Sequence, residues 1–305
     1  MNIQWYPGHM TKARRAMKED MKLIDLVIEL VDARMPLGSR NPDIDVLARG
    51  KGRMILLNKA DLADEAKNAA WAALFESRGI HVAKIDARNK GSLKQVQAVI
   101  QEACKEKIER DRRRGILNRP IRTMVVGIPN VGKSTFINSF AGKACAKTGN
   151  KPGVTKGNQW IRLNKTLELL DTPGILWPRF EDQTVGLHLA LIGSINDQIL
   201  NREELAWELI GLLEQIYPGV LTERYGDAAE GETEDNSAWK ELSKEEQNLK
   251  ASRMLERIAK NRACLMKGGE LDLARASALL LDEFRSGKLG KLSLEQAQDY
   301  TDRVK

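Results

Sequence analysis

Gly127-Ile128-Pro129-Asn130-Val131-Gly132-Lys133-Ser134-Thr135 decides the fold of this chain. It fits G-x-x-x-x-G-K-[ST], where glycines let successive backbone N–H groups curl around phosphates and the lysine reaches the β and γ oxygens. On that reading Asn130, Val131, Gly132, Lys133, Ser134 and Thr135 line the phosphates, and Ser134 offers its hydroxyl to Mg²⁺. The flanks agree. Residues 121–126 form a short apolar, β-rich run that ends at the loop, and residues 134–140 open a helix. The dipole at such a helix start favours an anion. A nucleoside triphosphate site is implied, yet it begins only at residue 127 of 305.

Upstream, Asn58-Lys59-Ala60-Asp61 follows a buried-strand signal over residues 53–57. Guanine presents N1–H and N2–H₂ as adjacent donors, and one carboxylate accepts both; adenine has no such pair. Asp61 therefore selects guanine, because a wrong base leaves a carboxylate unpaired. Lys59 is expected over the base plane, with Asn58 tying the loops together. Asp86-Ala87-Arg88 follows the strand signal of residues 81–85 and places the Ala87 N–H for guanine O6. Asp86 departs from the small hydroxyl residue more usual there. Alone, residues 58–61 read equally well as a surface turn with a helix cap; beside a P-loop they read as base recognition.

Downstream, Asp171-Thr172-Pro173-Gly174 ends another strand signal. Asp171 facing the P-loop can hold Mg²⁺ through water, and the Gly174 N–H can bond the γ-phosphate. Standing alone, the same residues are an ordinary β-turn. Thr155, in Gly153-Val154-Thr155, is the candidate second hydroxyl on Mg²⁺, chosen from several nearby threonines.

The 49 Lys+Arg against 42 Asp+Glu give a net charge of +7, compatible with a polyanionic partner. Three cysteines, Cys104, Cys145 and Cys264, are far apart and imply neither a disulfide framework nor a zinc site. The best early apolar run, residues 23–31, is broken by Asp25 and Glu29, so neither secretion nor a membrane span is expected, and the cytoplasm is.

Strands alternate with helices up to residue 171, which means an α/β fold: a mostly parallel sheet, helices on both faces, ligands at the strands' C-terminal ends. Every motif above lies at such an end. A helix over residues 11–22, capped by Thr11, carries Lys12, Arg14, Arg15 and Lys18 on one face. Residues 95–114 are expected as one charged helix. After Trp177-Pro178-Arg179 the β signals stop. Residues 185–218, 251–265, 271–286 and 292–304 are expected to be helical, with a polar mobile loop or exposed helix ends over 223–246. The expected domains are residues 1–178, the nucleotide domain, and residues 179–305, all-α.

Together the motifs resemble a GTPase of the translation-factor-like class, in an altered order. Residues 58–61 and 86–88 precede the P-loop instead of following it, so the domain looks circularly permuted, with residues 95–119 joining the old termini. The chain is further similar to the bacterial ribosome biogenesis GTPase A family, permuted GTPases of the YlqF type. The matching stretches are Trp5-Tyr6-Pro7-Gly8-His9-Met10-x-Lys12-Ala13, Val31-Asp32-Ala33-Arg34-x-Pro36, Asn41-Pro42, Leu265-Met266-Lys267-Gly268-Gly269 and Phe284-Arg285-x-Gly287-Lys288-x-Gly290. The resemblance implies a GTP-hydrolysing factor in late assembly of the large (50S) ribosomal subunit. It would bind the precursor's rRNA and proteins in the GTP state, through a C-terminal RNA-binding domain, and leave after subunit-stimulated hydrolysis. A cytoplasmic protein, monomeric off the ribosome, is expected. The family also replaces the usual glutamine after D-x-x-G with a hydrophobic residue, here Ile175, which cannot orient water. His9 is the family's substitute, since imidazole can hydrogen-bond an attacking water near neutral pH; a histidine beside a Pro-Gly turn can equally be structural. Asn130 resembles the P-loop asparagine that helps bind K⁺ in related GTPases.

For RNA, Lys12 to Lys18, Arg112 to Arg114, and Lys267, Arg275, Arg285, Lys288 and Lys291 are candidate phosphate contacts or plain solvated faces. No RNA-module signature is present, so shape and charge of folded RNA would be read. A rival reading is a nucleotide-gated RNA- or ribosome-binding module in which turnover is incidental. A metabolic ATPase or nucleotide kinase is disfavoured by residues 58–61.

Overall fold

The computed structural model describes residues 9–116, 119–145, 159–172, 183–197, 200–226 and 239–301, with residues 9–14, 299 and 301 as backbone. Six strands form one sheet in the order β3-β2-β1-β4-β6-β5. They are β1 (Leu26–Asp32), β2 (Gly52–Asn58), β3 (His81–Ile85), β4 (Ile121–Val126), β5 (Gln159–Arg162) and β6 (Leu167–Asp171). All neighbours run parallel except the antiparallel edge pair β5–β6, a hairpin. In register, Asp32 faces Asn58 and Asn58 faces Ile85, while Val125 faces Asp171. The C-terminal ends of five strands therefore make one rim, and the motif residues sit along it.

Alternation along β2 explains the two covered faces. Met54 and Leu56 join one core cluster with Val96 and Ile100 of helix α4 (Lys94–Ala103); Ile55 and Leu57 join the other with Trp71 and Phe75 of α3 (Glu65–Ser77). Glu29, which seemed to interrupt the apolar run, is only 2% exposed. Its carboxylate is met by Arg40 at 3.0 Å and by the Asn41 N–H at 3.3 Å, from the turn before the short helix α2 (Asp43–Leu47). A buried charge needs such partners.

Several boundaries differ from the sequence expectation. Helix α1 (His9–Asp20) begins before Thr11, which is therefore inside the helix and not its cap, and a 3₁₀ turn takes over at Met21. The expected single helix over 95–114 breaks at Cys104 into α4 and α5 (Lys105–Arg113). Val96, Ile100 and Cys104 are buried, whereas α5 buries only Asp111, held by Lys107 at 2.9 Å. The break turns a polar helix off the core. Helix α6 (Lys133–Ala141) leaves the P-loop as expected.

Among the described residues the C-terminal part is helical, with one antiparallel bridge between Leu265 and Leu271. It comprises α7 (Gln183–Leu191), α8 (Arg202–Ile216), α9 (Val220–Tyr225), α10 (Lys244–Asn261), α11 (Leu273–Ser286) and the short α12 (Gln298–Thr301). The segment 185–218 is two helices, not one, broken around Gly193 at φ +77°. Helix α10 starts at Lys244, ahead of the expected helix start at residue 251 and just within the end of the polar stretch, because Ser243 and Glu246 form a reciprocal capping box. Residues 292–297 are not helical. The Leu292 N–H donates to the Leu62 carbonyl at 3.1 Å and the Leu294 N–H to the Arg34 carbonyl at 2.7 Å. This strap lies across the nucleotide domain, where Glu295 accepts the N–H groups of Leu37 and Gly38 at 2.8 and 2.9 Å. The expected boundary at 178/179 falls outside the described residues.

Candidate active site at the carboxyl rim of the sheet

The P-loop leaves β4 through backbone that only glycine tolerates. A Cβ at Gly127 (φ +155°) would come within 2.6 Å of the Leu30 carbonyl oxygen, and one at Gly132 (φ +102°) would collide with the Asn58 side-chain amide. Asn130 itself holds a left-handed φ of +58°. Its Nδ2 donates to the Gly193 carbonyl at 2.8 Å, linking the loop to the turn after α7.

Lys133 opens α6 but folds back over its own loop, donating from Nζ to the Gly127 carbonyl at 3.0 Å and the Ile128 carbonyl at 2.9 Å. Burial lowers its pKa to about 8, with the charge of Asp171 opposing. Asp171 closes β6, 1% exposed, and burial raises its carboxyl to about 6 against the pull of Lys133 and the Thr172 N–H. Its Oδ1 is buried with no hydrogen-bond partner among the described residues. An orphaned carboxylate oxygen beside a phosphate loop fits a divalent cation, and the Ser134 hydroxyl in the first turn of α6 fits with it. Thr172 fixes this strand end by donating its hydroxyl to the Val125 carbonyl at 2.7 Å. Thr135 lies in the same first turn of α6. Thr155, Gly174 and Ile175 lie outside the described residues, as does the side chain of His9.

The base end is built from two loops tied to the P-loop by one side chain. Asn58, 2% exposed, donates from Nδ2 to the Val131 carbonyl at 2.7 Å and accepts the Ala87 N–H on Oδ1 at 2.9 Å. The Ala87 N–H, read as the donor to guanine O6, thus points at Asn58, because that amide oxygen would otherwise be buried without a partner. Lys59, at φ +60°, sends its Nζ to Asp32 Oδ2 at 2.8 Å. Asp61 sits in the following 3₁₀ turn, where its carboxylate accepts from Arg88 at 2.7 Å. Arg88 also donates to Asp86 at 3.0 Å, and the Asp86 N–H is held by Ser92 at 3.1 Å.

Two charged residues that motif reading left without a role close this site. Asp32, fully buried, accepts from Lys59 and from both the Nε and Nη2 of Arg34, at 2.9 and 2.8 Å. The two cations hold its carboxyl far below the usual range even against the cost of burial. The signal that could have found them is the stretch over residues 31–36, which pairs an acid and a base two residues apart at a strand end.

The arrangement can seat a guanine nucleotide along the rim: base at Asn58 to Asp61, phosphates at residues 130–134, a divalent cation at Asp171. Comparison with known proteins bears on the fold, the family and the reaction. The family model described as "50S ribosome-binding GTPase" matches residues 122–212, from the P-loop strand onward, and leaves out residues 58–61, which lie upstream. The chain is 46% identical over 304 residues to Ribosome biogenesis GTPase A of Bacillus cereus, covering 100% of this chain and 97% of that one. The Thermotoga maritima protein of the same name is 31% identical over 299 residues, with 98% and 96% covered. The structure of GNP-bound YlqF from T. maritima superposes with a TM-score of 0.61 at 26% identity, over 94% of this chain and 99% of that one; a GDP-bound YlqF structure gives 0.63. The fold is therefore a circularly permuted P-loop GTPase domain followed by helices, its reaction is the hydrolysis of GTP, and the chain belongs to the ribosome biogenesis GTPase A family.

Proposed function

We propose that this GTPase acts late in maturation of the large (50S) ribosomal subunit, binding rRNA and ribosomal proteins of the precursor in the GTP state and leaving after hydrolysis. Family membership supports the ribosomal role. The observation that carries the mechanism is Asn58, which joins the P-loop at Val131 to the second base loop at Ala87 and so makes base and phosphate recognition one unit.

In this reading Asp61 leaves Arg88 to accept guanine N1–H and N2–H₂, and Lys59 covers the base plane. Asp86 and Ala87 hold the second base loop in place. Asn130, Val131, Gly132, Lys133, Ser134, Thr135 and Gly174 surround the phosphates. Arriving phosphates offer the Lys133 ammonium anionic oxygens in place of two neutral carbonyls, which suits a charge that burial has made costly. Ser134, Thr155 and Asp171 would hold Mg²⁺, which neutralises charge on the β and γ oxygens when bound. Asn130 is proposed to supply K⁺ with a side-chain oxygen, its amide nitrogen being anchored on Gly193. His9 is proposed to orient the attacking water that Ile175 cannot.

The basic side chains of residues 12–18, Arg112 to Arg114, and Lys267, Arg275, Lys288 and Lys291 are proposed to meet rRNA, on both sides of the division near residue 178; Arg285 is instead tied to Ala190, Leu191 and Asp197. The protein is expected to be cytoplasmic and monomeric off the ribosome; no helix among the described residues is long and apolar enough to cross a membrane. The test is the GTPase rate with and without purified large subunits. Stimulation that persists in the wild type and vanishes in His9→Ala, with GTP affinity kept, supports the reading. A rate indifferent to subunits favours a binding module whose turnover is incidental.

A further inference from the structure

Two stretches singled out in the sequence, residues 31–36 and 284–290, supply no direct contact to base or phosphate in the reading above, and the fold brings them together. Asp32 ends β1 directly beside Asn58 in register, and its carboxylate is completely shielded from water. Oδ2 is shared between the Lys59 ammonium and the Arg34 Nη2, both at 2.8 Å; Oδ1 accepts the Nε and backbone N–H of Arg34 at 2.9 and 3.1 Å. Arg34, 1% exposed, turns its remaining donor outward to the C-terminal helices: Nη1 reaches the Arg285 carbonyl at 3.3 Å, and the guanidinium lies 5.3 Å from the Phe284 ring centre. The Arg34 carbonyl accepts the Leu294 N–H of the strap. The Arg285 side chain caps the end of α7, donating to the Ala190 and Leu191 carbonyls at 2.8 and 2.9 Å and pairing with Asp197 at 2.7 Å.

We propose that Asp32 and Arg34 form a relay in which they position Lys59 for the base and tie base occupancy to the docking of α11 and the strap. One carboxylate oxygen is contested by two cations. When Lys59 moves to cover a base, that oxygen belongs to Arg34 alone, and the Asp32–Arg34 fork tightens. Arg34 is then better fixed against Phe284, the Arg285 carbonyl and Leu294. Because coupling between binding events is reciprocal, docking of the strap must raise affinity for the base by the factor that the base adds to docking. Arg34 is a positioning residue; it touches no nucleotide atom.

The relay rests on reading residues 58–61 as the base site, and the tests separate the two ideas. The first uses the wild-type full chain and hydrogen exchange at the Leu294 amide. Saturating GDP is expected to slow it about fivefold or more, and saturating pyrophosphate, which has no base, to leave it unchanged. Equal slowing by both, or none by GDP, overturns the relay. The second is a cycle on GDP affinity with Arg34→Lys and Lys59→Ala. Arg34→Lys is expected to weaken GDP about tenfold, the loss of roughly one charged hydrogen bond, and to cost nothing further once Lys59 is alanine. Additive losses would mean that Arg34 acts only on the fold, and overturn the relay alone. GDP affinity unmoved by Lys59→Ala would overturn the base site itself, and the relay with it.

Discussion

Replacing Asn58 with alanine removes both bonds that hold the nucleotide loops together. The Val131 carbonyl and the Ala87 N–H are left facing a cavity at a position 2% exposed. Each orphaned buried backbone group costs about 1–3 kcal/mol, so the sum is about 3 kcal/mol once partial relaxation is allowed. That is a large part of an ordinary stability of about 5–15 kcal/mol. In equilibrium urea unfolding followed by a probe in the sheet domain, the midpoint should fall by on the order of 1 M. Asn58→Asp is the sharper control. It keeps the acceptor for Ala87 but sets a carboxylate against the Val131 carbonyl, so it should cost at least as much despite its nearly identical shape. Gly132→Ala attacks the same bond from the other side, since its methyl would displace the Asn58 amide. Its cost should therefore shrink in the Asn58→Ala background. A midpoint within about 0.2 M of wild type for Asn58→Ala, or Asn58→Asp milder than alanine, would refute this account of what unites the site.

Asp61→Asn should shift preference from guanine to xanthine nucleotide by at least about 100-fold, because the donor pattern the position accepts is reversed; unaltered GTP preference in a competition assay would count against base recognition there. Lys133, lowered to about 8 by burial, should regain its ordinary basicity against phosphates. Nucleotide binding at pH 8 should then take up about half a proton, and affinity should fall as pH rises from 8 towards 10. The ligand-free chain behaves oppositely. A depressed native pKa contributes stability above the unfolded value near 10.5 that is lost as pH falls through 8. Calorimetry in two buffers of different ionisation heat reads the proton directly, and a null result at pH 8 would show that the ammonium is not penalised. Glu295→Ala should cost about 2 kcal/mol and speed exchange of the Leu37 and Gly38 amides it holds; unchanged exchange would mean the strap does not anchor that loop.

The sheet was legible because its central strands, β1 and β4 above all, are buried on both faces and end in residues chosen for chemistry. Residues 26–32, 81–85 and 121–126 read as strands and are strands. The rim was legible for the same reason, since a phosphate loop and a guanine-reading acid need fixed spacings. Contacts between distant segments were not legible. Nothing local marks Glu295 as the partner of Leu37 and Gly38, or Asn130 as the partner of Gly193. Residues 292–304 read as a helix, yet the N–H groups of Leu292 and Leu294 find the carbonyls of Leu62 and Arg34, and tertiary bonding outweighs a weak helical preference. The capping box at Ser243 was readable in principle, but the acidic run around it reads as solvated loop.

The strap gives the order of synthesis a role in the life of the protein. Gly38 and the carboxylate that secures it are 257 positions apart. At about 5–20 residues per second, on the order of ten to fifty seconds separate the translation of the two. The loop after β1 is thus made long before the carboxylate that locks it. Strand β1 waits too, because its central neighbour β4 is translated only after β2 and β3 are complete. A permuted chain of this kind leaves the backing of its base loop uncovered until the strap, 257 positions on from Gly38, has been made. Only then does Tyr300 reach the Trp71 ring, 5.3 Å away, and close the outer face of α3. A copy cut short before Glu295 has its P-loop yet lacks the carboxylate that holds the Leu37 and Gly38 amides behind the base loop.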